Sequence, residues 1–211
     1  PYFAPGAGWE YSNTNYVLLG MLLELVEGAP VASLIRERIL LPNGLTRSFL
    51  EGSEPVIGAL APGYDTSGED VSDEYGLAWA WAAGAMSTTP EDAARFIELL
   101  GTGALLPPAL QAELVRTVPT PQPGLGYGLG VFVVDASLTG GAGPGIGHGG
   151  DIMGFHSIGF YFPEARMTLF GAVNSDGGAG NDVLASALTS LYPARVAGPR
   201  LDGERRARAA R

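Results

Sequence analysis

Apolar residues recur along this chain in two different periods, and the change comes near Pro119. Before it the spacing is helical. Val17 to Glu27 carries Val17, Leu18, Leu19, Met21, Leu22, Leu23, Leu25 and Val26, leaving almost no polar side, so the pattern predicts a helix buried inside a domain. Asn13 stands where a side-chain cap would start it, and Gly28 followed by Pro30 is a fitting stop. A second, amphipathic helix is predicted over Pro30 to Leu40, with Val31, Leu34, Ile35 and Ile39 on one side and Pro42-Asn43-Gly44 turning the chain. Ser87-Thr88-Thr89-Pro90-Glu91-Asp92 reads as a capped start for a helix to about Leu100, and Leu110 to Val115 as a shorter one. From about Glu51 to Tyr75 no period is sustained, and a solvated loop is expected.

After Pro119 the segments shorten. Tyr127 to Val134, Ile158 to Phe162 and Met167 to Val173 read as strands, the last two joined into an antiparallel hairpin by Pro163-Glu164-Ala165-Arg166. Asn181 to Leu191 reads as a closing helix. Helices grouped first and strands second predict an α+β fold with a mostly helical part at 1–118, strands and a closing helix at 119–192, and a tail at 193–211.

Composition narrows this picture. With 211 residues, 46% of them hydrophobic, the chain can bury a sizeable core. Its longest apolar helix falls short of the roughly 20 residues that span a bilayer, so no transmembrane segment is expected. The net charge is −10, but Ala194 to Arg211 holds six arginines against Asp202 and Glu204, a net +4, so the remainder carries −14. An acidic body argues against nucleic acid as a partner, and the Arg-rich tail is expected to be disordered. Cysteine is absent, which removes disulfides, thiolate metal sites and a Cys nucleophile. The acidic group Glu69, Asp70, Asp73 and Glu74 lacks the ligand spacing of a calcium loop, so no metal is expected there. All 12 basic residues are Arg; there is no Lys.

Candidate chemistry gathers in two stretches. Trp9-Glu10-Tyr11-Ser12-Asn13 puts a phenol and a carboxamide at a turn into a helix, where they are either a half-buried anchor and a cap or a pair of working groups. Gly145-Ile146-Gly147-His148-Gly149-Gly150-Asp151 puts a titratable His among glycines at the mouth of a strand, either as an exposed turn or as a place where something approaches the backbone. Trp79 and Trp81 either line a cleft or pack inside.

The order and flanks of the two stretches resemble a known family. Phe3-x-Pro5-Gly6-x-x-Trp9-x-Tyr11-Ser12-Asn13-x-x-Tyr16, followed by Gly147-His148-Gly149-Gly150-x-x-x-Gly154-Phe155-x-Ser157, is similar to the serine β-lactamase-like family of class C β-lactamases, D-alanyl-D-alanine carboxypeptidases and related esterases. Ser87 to Asp92 and Gly126-Tyr127-Gly128-Leu129-Gly130 extend the likeness over nearly all of 1–192. It implies a sheet flanked by helices and a substrate with an amide or ester carbonyl, with no cofactor. By resemblance Tyr11 would be the proton shuttle, Asn13 would hold the carbonyl side of the substrate, and His148 would assist substrate binding and proton traffic. Gly150 would permit close approach, and the N–H of Asp151 would be an oxyanion donor.

One element of the family pattern is missing. A chain without Lys cannot contain Ser-x-x-Lys, and Ser33-Leu34-Ile35-Arg36 is a chance match because a guanidinium stays protonated. The family places its nucleophile before the Tyr motif, so the chain resembles the C-terminal portion of such an enzyme, with the nucleophile expected upstream of Pro1. Two other readings stand beside it. A Ser-His-Asp triad would use Ser157, His148 or His156, and Asp176, although Phe155-His156-Ser157-Ile158-Gly159 falls one Gly short of the nucleophile elbow. A non-catalytic module would keep the cleft for binding a ligand or another chain.

Overall fold

The fold is that of a computed structural model and describes residues 2–72, 76–177 and 180–191. The tail at 193–211 and three residues of the expected loop, Asp73 to Tyr75, lie outside the described residues.

Helix α1 spans Asn13–Glu27 and is closed by Gly28 in the left-handed conformation, whose N–H reaches Glu24 O at 2.9 Å. Its start differs from the expected cap. Ser12 holds the N-cap position in extended conformation, and Asn13 is the first helical residue, its Oδ1 accepting from the Tyr11 hydroxyl at 3.0 Å. The expected burial of this helix is also corrected. Only Gly20 is buried, pressed onto Ala82 and Trp81, where an added Cβ would stand 2.5 Å from Ala82 Cβ. Leu18, Leu19, Met21, Leu22, Leu23, Leu25 and Val26 are exposed. The physical reason is coverage: among the described residues the main contact of α1 is the short 3₁₀ turn Trp81–Ala83, which is too small to cover more than one stripe.

The second helix begins as α2, Val31–Ile35, continues as a π-helical turn Arg36–Leu40 and ends in a 3₁₀ turn Leu41–Asn43. Glu24 Oε1 accepts from Val31 N at 2.8 Å and ties α1 to α2. Val31 and Ala32 pack with Leu50, Ala80 and Ala85 in a small core. Around it β1 (Phe49–Leu50) pairs antiparallel with β2 (Met86–Ser87). Arg36 is committed to Glu54 and to Ser48 O, so it has a structural role. Helix α3, Pro90–Thr102, starts as expected, with Thr89 Oγ1 accepting from Asp92 N. A short α4 spans Pro108–Leu114. No single helix among the described residues is long and apolar enough to cross a membrane.

The main sheet is an antiparallel meander in chain order: β3 (Val118–Pro119), β4 (Leu125–Tyr127), β5 (Phe132–Val134), β6 (Gly145–Ile152), β7 (Phe155–Phe162) and β8 (Met167–Val173). The single strand expected over Tyr127 to Val134 is two strands. Gly130 has φ +78, and Gly128 lies against Leu114 O, where a Cβ would stand at 2.1 Å, so the chain folds back there and Tyr127 pairs with Phe132. The glycine stretch expected at a strand mouth is itself the eight-residue strand β6. The hairpin of β7 and β8 forms as expected over Pro163–Arg166. Helix α3 crosses β7 and β8 on one side, its Ile97 filling the space over Gly159, and α5 (Gly180–Leu191) packs on β8. Ala142, Ile158, Phe160 and Phe162 form the sheet's core.

Candidate functional site

The turn before α1 and the middle of β6 meet. The rings of Tyr11 and His148 have centroids 6.0 Å apart, so the two residues singled out in distant stretches share one surface. Tyr11 is 42% exposed and His148 is half-buried, so neither is sealed inside. Asn13 is exposed beside them and holds the Tyr11 hydroxyl.

Tyr127 was not among the candidates, although the glycine-rich motif around it was noted. It is buried at the end of β4, and its ring lies 5.9 Å from Tyr11, 5.8 Å from His148 and 5.4 Å from Trp9. Phe132 stands 4.8 Å from both Tyr127 and His148 and backs the cluster. The His148 ring is held at both nitrogens: Nε2 lies 3.2 Å from the Tyr127 hydroxyl and Nδ1 lies 2.6 Å from Gly149 O.

Electrostatics keep the phenols protonated. Burial raises the Tyr11 pKa above its ordinary value, and Tyr16 and the Asp151 carboxylate push it further the same way. Tyr127 is raised strongly, by burial first and then by Tyr16 and Tyr11. Within these residues Tyr11 is therefore a neutral hydrogen-bonding group, and ionising it calls for a cation that the cluster does not hold.

Strand β6 supplies backbone as well as a side chain. Ile152 and Phe155 flank a two-residue turn and form a hydrogen-bonded pair, so alternation turns the N–H and C=O of Gly150 and His148 towards β7. Those of Asp151 and Gly149 point to the other edge. There β5 reaches only to Gly147, opposite Phe132, so the Asp151 N–H lies on an edge left uncovered by the described strands. Gly150 shares a face with His148, and an added Cβ would meet Ser157 Oγ at 2.9 Å.

The Asp151 carboxylate does separate work on the opposite face. It accepts from His156 Nδ1 at 2.6 Å, while His156 Nε2 lies 3.5 Å from Asp176, whose Oδ1 also takes the Gly154 N–H. This pins the β6–β7 turn to the loop after β8. It also removes the His156 form of the triad, and it engages Asp176 with His156, whereas the His148 nitrogens meet Tyr127 and Gly149 O. His156 has a carboxylate at each nitrogen, and Ser157, the next residue along β7, projects to the other face, against Gly150. Trp79 is 62% exposed and Trp81 packs on the small core, so Trp81 serves packing. Among the described residues no cluster of three or more His, Asp or Glu is arranged to hold a metal.

Known proteins share this fold. A D-stereospecific amidohydrolase from Streptomyces sp. matches with a TM-score of 0.79 at 33% identity, over 89% of this chain and 56% of that one. The D-amino acid amidase from Ochrobactrum anthropi SV3, solved with L-phenylalanine, matches with a TM-score of 0.79 at 27% identity, over 92% of this chain and 62% of that one. A β-lactamase from Pseudomonas fluorescens is 32% identical over 117 residues, which is 56% of this chain and 32% of that protein. The chain thus spans about three-fifths or less of the length of each. The model of the Beta-lactamase family matches residues 1–192, which include the phenol, the imidazole and the strand edge described above, and the chain belongs to that family of serine hydrolases.

Proposed function

We propose that this chain carries the Tyr/His side of a serine acyl-transfer site, and that the Ser-x-x-Lys nucleophile segment belongs to residues of the whole protein outside these 211. The observation that carries the reading is the approach of Tyr11 to His148 at 6.0 Å, on a surface that also presents Asn13 and the free edge of β6. Two further facts support the second half. The chain has no Lys, and α1 exposes a row of Leu side chains of the kind that a longer protein covers.

In this mechanism the Lys of the absent segment supplies the cation that Tyr11 lacks. Its charge offsets the burial and the Asp151 carboxylate that now hold the phenol protonated. Tyr11 then relays the serine proton to the leaving group, and Asn13 orients the substrate carbonyl. His148 takes part in substrate binding and proton traffic. Gly150 leaves room for the substrate, and the Asp151 N–H donates to the oxyanion from the strand edge. The substrate class is a small amide or ester of a D-configured amino acid, a reading supported by the two amidase neighbours.

The test uses the whole protein and a D-amino acid amide. Tyr11→Phe is expected to slow acylation on the order of a hundredfold, as for other positioned acid–base groups, and an unchanged rate removes Tyr11 from the mechanism. The 211-residue chain alone, treated with penicillin or an activated ester, is expected to show no mass increase. A stoichiometric adduct at any of its serines would overturn the placement of the nucleophile.

A further inference from the structure

Tyr127 belongs to no motif that the proposed mechanism uses, yet it makes the hydrogen bond that decides what His148 can do. A backbone carbonyl only accepts, so the 2.6 Å approach of His148 Nδ1 to Gly149 O requires the proton on Nδ1. In the neutral ring Nε2 is then a lone pair, and the group 3.2 Å from it is the Tyr127 hydroxyl, which must donate. Tyr127 can hold that position because its ring is buried between Trp9, Tyr11 and Phe132. Its backbone pairs with both Val118 and Phe132, so the phenol is fixed from two strands.

We propose that Tyr127 is a positioning residue that engages Nε2 and fixes the ring orientation of His148, whose tautomer is set by Gly149 O. Resting on the acyl-transfer reading above, this makes Tyr127 the partner through which His148 Nε2 exchanges a proton. A substrate at the Tyr11 face meets an imidazole whose Nε2 is already engaged, so His148 acts there as an oriented hydrogen-bonding group. A base role at Nε2 would first need the Tyr127 proton to turn away, and Tyr16, which also hydrogen-bonds to Tyr127, is a phenol it could turn towards.

The decisive measurement does not depend on catalysis. Long-range ¹H–¹⁵N spectra of the 211-residue chain at neutral pH, with His156→Gln to assign the second His, are expected to show His148 as the Nδ1–H tautomer. Tyr127→Phe keeps the ring packing and removes only the hydroxyl, and it is expected to shift the His148 Nε2 resonance while Nδ1 stays protonated against Gly149 O and the thermal midpoint stays within a few degrees. An Nε2–H tautomer in the parent chain, or a spectrum of His148 unchanged in Tyr127→Phe, overturns the proposal. In the whole protein the same variant is expected to lower kcat about tenfold with KM little changed, within the range for groups that orient a working side chain. If the Nε2 resonance shifts but kcat does not, the acyl-transfer role of His148 fails while the Tyr127 contact stands.

Discussion

Helix α1 and strand β7 are equally apolar in sequence, yet Phe160 and Phe162 are 5% and 0% exposed while Leu25 and Val26 are 82% and 71% exposed. The difference lies in coverage. Strand β7 has β6 and β8 at its two edges and α3 crossing its Gly159 face, while on the other face Phe160 and Phe162 are enclosed with Ala142 by Phe132, Val134, Met167 and Leu169. For α1, among the described residues, the main neighbour is the Trp81–Ala83 turn, and only the Gly20 stripe closes. Burial is a property of pairs of surfaces, and an apolar run states only half of the pair.

Four substitutions probe that contrast, and they are ordered by expected size. Phe162→Ala removes a ring that is fully enclosed in the sheet core, and urea unfolding is expected to report a loss of about 3–5 kcal/mol. A loss below about 1 kcal/mol would mean that the sheet is not the stable half. Glu54→Gln tests the helical side, where Glu54 joins Arg36 to the Leu50 N–H. A loss of about 1–3 kcal/mol is expected at neutral pH, as for other hydrogen bonds to charged groups. Burial pushes the Glu54 carboxyl up, but the Arg36 and Leu50 hydrogen bonds outweigh it and its pKa lies below the ordinary value. A carboxyl depressed in the folded state stabilises above its unfolded pKa and loses that contribution as pH falls through the folded one. The gap between parent and Glu54→Gln should therefore close on acidification below about pH 4, where the unfolded carboxyl itself titrates. A gap that persists unchanged to pH 2 would count against the ion pair.

Thr89→Ala removes the cap of α3 and is expected to cost about 1 kcal/mol in thermal or urea unfolding. The smallest effect is expected at Leu25→Ser, within about 0.5 kcal/mol in this chain because the side chain is already in solvent. Its visible consequence should be reduced self-association by sedimentation, since an apolar helix face of this extent favours contact between copies. In the whole protein the same position sharpens the contrast. A cost of 2 kcal/mol or more there, against almost none here, would be the mark of a helix covered by residues outside this chain.

Legibility in the sequence followed the range of the interaction that decides each feature. Thr89 before Pro90, Gly28 after Glu27 and the Pro163–Arg166 turn act within one or two turns of chain, and each does what its neighbours imply. Strand β6 was harder to recognise because four of its eight residues are Gly and carry no alternation of apolar and polar side chains. The fold-back at Gly128 depends on Leu114 O, which comes from α4, and no local pattern announces it. Tyr127 escaped notice as a site residue because its partners, Trp9, Tyr11 and His148, arrive from other parts of the chain.

By itself the sequence determined that the chain is α+β, that the Tyr11 and His148 stretches are the candidates for chemistry, and that the chain has no Lys, because these follow from residue identity, local propensity and spacing. Tertiary structure alone decided that the two rings stand 6.0 Å apart with Tyr127 against the imidazole, that His156 is held between Asp151 and Asp176, and that α1 faces solvent. Contacts between residues distant in the chain depend on how whole elements pack, and a one-dimensional pattern names the surfaces without saying which of them meet.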